Sequence, residues 1–165
     1  MLTLANVATL DYIVVVTAPR SIRFDQGVLA RLDRYVKEHP GSSSSSVANM
    51  FIDESLRAHE HPGVVFRPGP TGRRAALAGG PDVWEVIAAL KAIREDDPAL
   101  DGELLIGELA TVTGLGAQRV VVALRYYAAY PTEVDERIAS NAAVAEREEK
   151  LWAAQQDLLR SKKAR

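Results

Sequence analysis

SIRFDQGVLARLDRYVKEHPGSSSSSVANMFIDESLRAHE, residues 21–60, is the stretch that decides the fold. Ser21-Ile22-Arg23-Phe24 alternates polar and apolar, the two-residue period of a strand with one buried face. Pro19 limits how far back such a strand can pair. Asp25 follows as an N-cap, and Val28, Leu29, Leu32, Tyr35 and Val36 then fall on one helical face. His39-Pro40-Gly41 stops that helix. The serine run Ser42–Ser46 reads as a linker by composition and as a set of N-caps by position. Ala48, Phe51, Ile52, Ser55, Leu56 and His59 share a face and decide for a second helix, which Pro62-Gly63 ends. A strand and two helices in about 45 residues bury too little apolar surface to stand alone. The unit needs a second copy, and pairing the strand with its twin across a two-fold axis makes a two-stranded ribbon.

Around this unit the composition is ordinary. The chain has 165 residues, 47% hydrophobic and 25% charged, with 20 Lys+Arg against 22 Asp+Glu. That length fits one domain or two small ones, and the balance excludes wholesale disorder. The absence of cysteine excludes a disulfide scaffold, a thiolate metal site and a Cys nucleophile. Positive charge is local: residues 61–80 carry Arg67, Arg73 and Arg74 and no acid, and Lys162, Lys163 and Arg165 follow in the tail. Such a patch is what phosphate contact requires. The apolar runs, Ile13–Val16 among them, are all far short of the roughly 20 residues of a membrane span. Residues 1–17 lack a basic n-region and are interrupted by Asp11, so they read as a strand or loose extension rather than a signal peptide.

Residues 19–60 resemble the ribbon–helix–helix DNA-binding fold, through Ser21-Ile22-Arg23-Phe24, the helix 25–38, the Pro40-Gly41-Ser42 turn and the helix from about Ser44 to His59. The resemblance implies a ribbon in the major groove, with Ile22 and Phe24 towards the core and Ser21 and Arg23 towards base edges. Arg23 is then the main reader, and Arg20 lies at the rim. Ser43, Ser44 and Ser45, at the start of the second helix, would face a phosphate, a role compatible with plain N-capping.

Residues 63–130 predict a small winged helical unit. Val64-Val65-Phe66 reads as a strand, Arg67–Gly72 as a turn and Arg73–Leu77 as a return strand. Asp82 with Glu85 three residues later is a capping-box start for a helix carrying Val83, Val86, Ile87, Leu90 and Ile93 inward. Helices around 104–112 and 120–127 flank the turn Thr113-Gly114-Leu115-Gly116, a helix-turn-helix pattern. Gln118, Arg119 and Arg125 are what such a domain could offer to DNA. Residues 81–130, however, carry 4 basic against 8 acidic side chains, so packing or a partner role is the stronger reading. Residues 61–130 also resemble the domain-of-unknown-function family 433 found in VapB-like type II antitoxins, through Val64-Val65-Phe66, Gly72-Arg73-Arg74, Gly80–Val86 and Val120–Tyr127. Ala75–Gly80 departs from that family's usual loop.

Pro131-Thr132 opens a last helix, with Thr132 as cap and no Pro or Gly to residue 165. Ile138, Ala145, Trp152 and Leu159 recur every seven residues beside the row Val144, Leu151 and Leu158. This narrow stripe packs on its own domain, self-associates, or lies in a partner's groove. In the last case Ile138, Leu151, Trp152, Leu158 and Leu159 are its anchors, and the antitoxin resemblance implies a toxin-neutralising element.

Catalysis has little support. His59-x-His61 lacks a third ligand apart from Glu60, and no nucleophile elbow is present. The chain is thus expected to be mainly α with short β. It comprises an N-terminal extension (1–17), a ribbon–helix–helix dimerisation and DNA-binding domain (18–62), a winged-helix-like domain (63–130) and an amphipathic C-terminal helix (131–165). The combined resemblances imply a cytoplasmic, homodimeric antitoxin. It would repress its own operator, with Arg73 and Arg74 joining Ser21, Arg23 and the serines as DNA contacts, and neutralise a PIN-like ribonuclease toxin without metal or cofactor. A ribbon–helix–helix transcriptional regulator without a toxin is the alternative, and a protein–protein adaptor with a purely structural ribbon is a third.

Overall fold

The computed structural model describes residues 21–70 and 72–160. The expectations for residues 1–17, for Arg20 and for Lys162, Lys163 and Arg165 lie outside them. The described residues are mainly helical, with one small antiparallel sheet: α1 (Gln26–Glu38), α2 (Ser44–Glu60), β1 (Val64–Arg67), β2 (Arg74–Leu77), α3 (Val83–Asp96), α4 (Gly102–Thr113), α5 (Ala117–Ala129) and α6 (Pro131–Arg160). The chain divides into two compact units, 1–47 and 48–165, with the division inside α2.

In the first unit, residues 21–25 take no regular secondary structure in the single chain. The strand expected at Ser21–Phe24 is therefore not formed here: a strand needs a ladder partner, and none of the described residues pairs with this segment. The expected helix forms as α1, after Asp25 in extended conformation. It ends where the His39 ring stacks on Tyr35 at 3.9 Å and Gly41 turns the chain with φ +93°. α1 buries none of its residues, and Val47 is the only buried residue among those described in this unit.

The second unit holds the core. β1 and β2 pair in the register Val64↔Leu77 to Arg67↔Arg74, the hairpin the sequence predicts. β2 reads Ala75-Ala76-Leu77 buried in succession, so both of its faces are covered. Under the hairpin, Leu77, Val83, Val86, Ile87, Leu109, Val120 and Tyr126 are almost wholly shielded from solvent. α3 begins as expected, with the Glu85 carboxylate accepting from the Asp82 N–H at 2.7 Å. Between α4 and α5, Gly114 takes φ +66°, a conformation that costs residues bearing a Cβ, and the Leu115 N–H returns to the Ala110 carbonyl at 3.1 Å.

Two details of α6 correct the sequence reading. The helix starts at Pro131, so Thr132 lies inside it and Tyr130, the C-cap of α5, precedes it directly. Proline suits this first position because its missing N–H has no helical acceptor there. Ile138, expected among the partner anchors, instead packs with Val134 against the unit's own core. Beyond Asn141 nearly every residue to Arg160 is exposed. Among the described residues no single helix is long and apolar enough to cross a membrane.

Candidate functional site

The residues expected to read DNA occupy the first unit. Ser21 and Arg23 are exposed, as is Ile22, while Phe24 is half-buried. The serine run has a defined local order. The Ser46 N–H donates to Ser43 Oγ at 3.1 Å, and the Ser43 N–H donates to Ser46 Oγ at 3.0 Å. Two serines thus build the reciprocal cap that Ser/Thr and Glu/Gln more often make. Ser44 and Ser45 fall at the first two helical positions, where backbone N–H groups have no acceptor within the helix. Ser43 is the cap, and like Ser44 and Ser45 it is exposed.

In the second unit the arginines of the Gly/Pro-rich segment do not form the open basic patch that charge counting predicts. Arg67 donates through Nε at 2.8 Å and Nη2 at 2.6 Å to one oxygen of Asp82. Arg74 Nε donates to the other oxygen, which also accepts from Trp84 Nε1 at 3.2 Å. Asp82 is 4% exposed. Burial alone would raise its pKa, but donation from Arg67, Arg74 and Trp84 outweighs burial and holds the carboxyl below its ordinary value. Arg73 pairs with Glu54 through Nε, at 2.7 and 2.9 Å. These guanidinium groups are committed to carboxylates of the same unit.

A second polar cluster ties α2 to the start of α6. Arg57 Nη1 donates to the Tyr126 hydroxyl at 3.1 Å and to Glu133, and the Tyr126 hydroxyl donates to Glu133 at 3.0 Å. Burial is the main cause of a raised Tyr126 pKa, so this phenol stays protonated as the bridge. The Arg57 guanidinium also sits 4.2 Å from the Tyr130 ring centroid. His61 meets Tyr126 and Tyr130 edge-on, with ring centroids 5.3 and 5.7 Å away, so it serves aromatic packing.

On the helix-turn-helix, Arg119 donates from Nη2 to the Ala78 carbonyl at 2.7 Å, fixing α5 to the hairpin exit, while Gln118 and Arg125 stay exposed. A cavity of about 290 Å³ lies between the hairpin turn, the start of α3 and α6, with Trp84, Arg137 and Val144 in its wall. On α6, Leu151, Trp152, Leu158 and Leu159 are 59, 62, 73 and 63% exposed, so of the expected anchors only Ile138 is taken up by the core.

Glu54, Arg57, Asp82 and Glu133 carry the unit's ion-pair and hydrogen-bond clusters, and the sequence reading gave none of them a tertiary role. Arg57 and Glu133 are 76 residues apart, and no local pattern marks such a pair. No family model, no curated protein and no solved structure matches the chain.

Proposed function

We propose that this chain is the antitoxin of a type II toxin–antitoxin pair: a homodimeric, DNA-binding autorepressor that neutralises a PIN-like ribonuclease with its C-terminal helix. The observation that carries the reading is the first unit's missing core. α1 has the strongest apolar–polar division of any described helix, yet none of its residues is buried, and Leu29 is 42% and Ile22 60% exposed. Such a helix gains its stability from an apolar surface that the described residues of this unit do not supply. A second copy, joined through the Ser21–Phe24 segments, supplies it and closes the ribbon.

In that dimer Ser21 and Arg23 face bases. The exposed start of α2, with Ser44 and Ser45, faces a phosphate. The α6 stripe is the toxin-facing element, and its support is that Leu151, Trp152 and Leu159 all lie on solvent. Arg73 and Arg74 leave the proposed DNA contacts, because their charges meet Glu54 and Asp82.

The test is co-expression with the product of the neighbouring gene, followed by size-exclusion chromatography. Co-elution, with rescue of growth from a toxic product and loss of the complex on truncation after Ser140, is the expected result. Failure to associate, with operator binding intact, leaves the regulator without a toxin.

A further inference from the structure

The second unit separates its charges along α3 and α6. At the α3–α4 corner, Ile93 and Leu100 floor a notch of about 290 Å³ whose rim is Asp96, Asp97 and Glu108. Leu104, one helical turn before Glu108 on the same face, is 71% exposed. Between residues 93 and 116 there are six acidic side chains and one basic, Arg94. The sequence at the end of α6 and just after it has the opposite character. Leu158-Leu159-Arg160-Ser161-Lys162-Lys163 joins two leucines to three cations with no acid among them. Arg160 has Asp157 at 4.0 Å, and both are about four-fifths exposed, a pair worth little in water.

These two features cannot meet within one chain. α3 and α6 run antiparallel: Lys91 Nζ lies 2.7 Å from Asp135, while Trp84 and Glu85 share a cavity with Asn141 and Val144. Rising along α6 therefore moves away from Asp96. At 1.5 Å per residue, Arg160 lies on the order of 50 Å from Asp96 along the common direction. Lys162 and Lys163 follow within three residues, a reach of about 10 Å at most.

We propose that the α3–α4 corner docks the basic, leucine-bearing end of α6 from a second copy of this chain. The leucine side chains cover Ile93, Leu100 and Leu104, and Arg160, Lys162 and Lys163 meet Asp96, Asp97 and Glu108. The contact is head-to-tail, so each copy offers one corner and one helix end, and assembly continues until a ring closes. It goes beyond the ribbon contact and does not depend on it. Where α6 also serves a toxin, the two occupants exclude each other.

The test uses the full chain in sedimentation equilibrium at about 50 mM and about 500 mM salt, since the higher value shortens screening to a few ångströms and leaves apolar contacts in place. The mass at high salt is the baseline, whatever the ribbon contributes. The low-salt mass is expected to be at least double that baseline. Asp96→Lys/Glu108→Lys and Arg160→Glu/Lys162→Glu/Lys163→Glu should each return it to baseline with unchanged helical circular dichroism. A chain carrying both sets should recover assembly, because the charges are again complementary. A wild-type mass independent of salt overturns the proposal. So does loss of assembly with the corner variant alone, which assigns the notch to another occupant.

Discussion

Arg73 holds Glu54 with its Nε between both carboxylate oxygens, and its Nη2 donates to the Phe66 carbonyl at 3.1 Å. The guanidinium also lies 5.2 Å from the Phe51 ring centroid. One side chain thus joins the strand hairpin to α2. Glu54 is among the least exposed charged residues described, at 9%. Removing either partner strands a poorly solvated charge, the costly way to break an ion pair.

Arg73→Ala is therefore expected to lower unfolding free energy by about 2 kcal/mol, less than a fully buried pair because Arg73 keeps partial solvent access. Urea unfolding measures this. DNA titration against salt supplies the contrast, because each lost phosphate contact flattens the log–log slope by about 0.9. An unchanged slope with lowered stability is expected; a flatter slope with unchanged stability would return Arg73 to the DNA surface.

Asp82 gives the second unit an acid-sensitive joint. Its folded pKa lies below the ordinary carboxylate value, so its ion pairs stabilise the fold fully above about pH 4. That contribution drains away as the pH falls through the folded value. Asp82→Asn leaves Arg67 and Arg74 without a counter-charge and is expected to cost about 2–4 kcal/mol at pH 7. Denaturant midpoints for the wild type and the variant should converge as the pH falls below about 4 and the Asp82 carboxylate is protonated. A gap that stays the same size from neutral pH into acid would contradict the role.

Two glycines, Gly107 inside α4 and Gly114 just past its end, predict opposite signs. Gly114 holds φ +66°, and Gly114→Ala is expected to cost about 1 kcal/mol through that left-handed conformation, even though open space surrounds the new Cβ. Gly107 sits inside the helix with nothing within 4 Å of its Cβ position and no positive φ. Gly107→Ala should stabilise by about 0.5–1 kcal/mol. Melting temperatures that move together would show that α4 is not held as described.

Local chemistry made much of this fold legible. Short apolar runs bounded by Gly/Pro turns point to the 64–67 and 74–77 strands, the Asp82–Glu85 spacing announces α3, and Gly114 announces the α4–α5 turn, because each signal lies within a few residues. The cap expected at Thr132 lies two positions too late, since a proline at the first helical position and a threonine cap compete for the same start. The arginines misled for a different reason. Charge counting sees that residues 61–80 hold three cations and no acid, but Glu54 and Asp82 lie just outside that window and reach them only after the hairpin forms. The Tyr126 bridge between Arg57 and Glu133 was equally invisible, because it joins parts of the chain 69 and 76 residues apart through burial. Ile138 shares its heptad row with Trp152 and Leu159, and periodicity cannot tell where along a helix the core stops.

In the proposed DNA-binding dimer, Arg23 and Ile22 have separable roles, one in reading bases and the other in association. Both are exposed in the single chain, so neither substitution removes an interior contact. Arg23→Ala is expected to weaken binding to the chain's own operator by about 1–3 kcal/mol, while non-specific duplex binding changes far less. The dimer should persist, because an outward residue of the ribbon leaves the strand ladder intact. Ile22→Asp places a charge on the inward face and should reduce association of the first units, with operator binding falling as a consequence. The two variants thus fail in different ways: one dimeric with relaxed specificity, the other weakly associated. Fluorescence anisotropy with a labelled operator, alongside sedimentation of each variant, resolves them. Operator binding by Arg23→Ala at wild-type strength would mean that the 21–24 segment does not read bases, and the first unit would then act only as a dimerisation element.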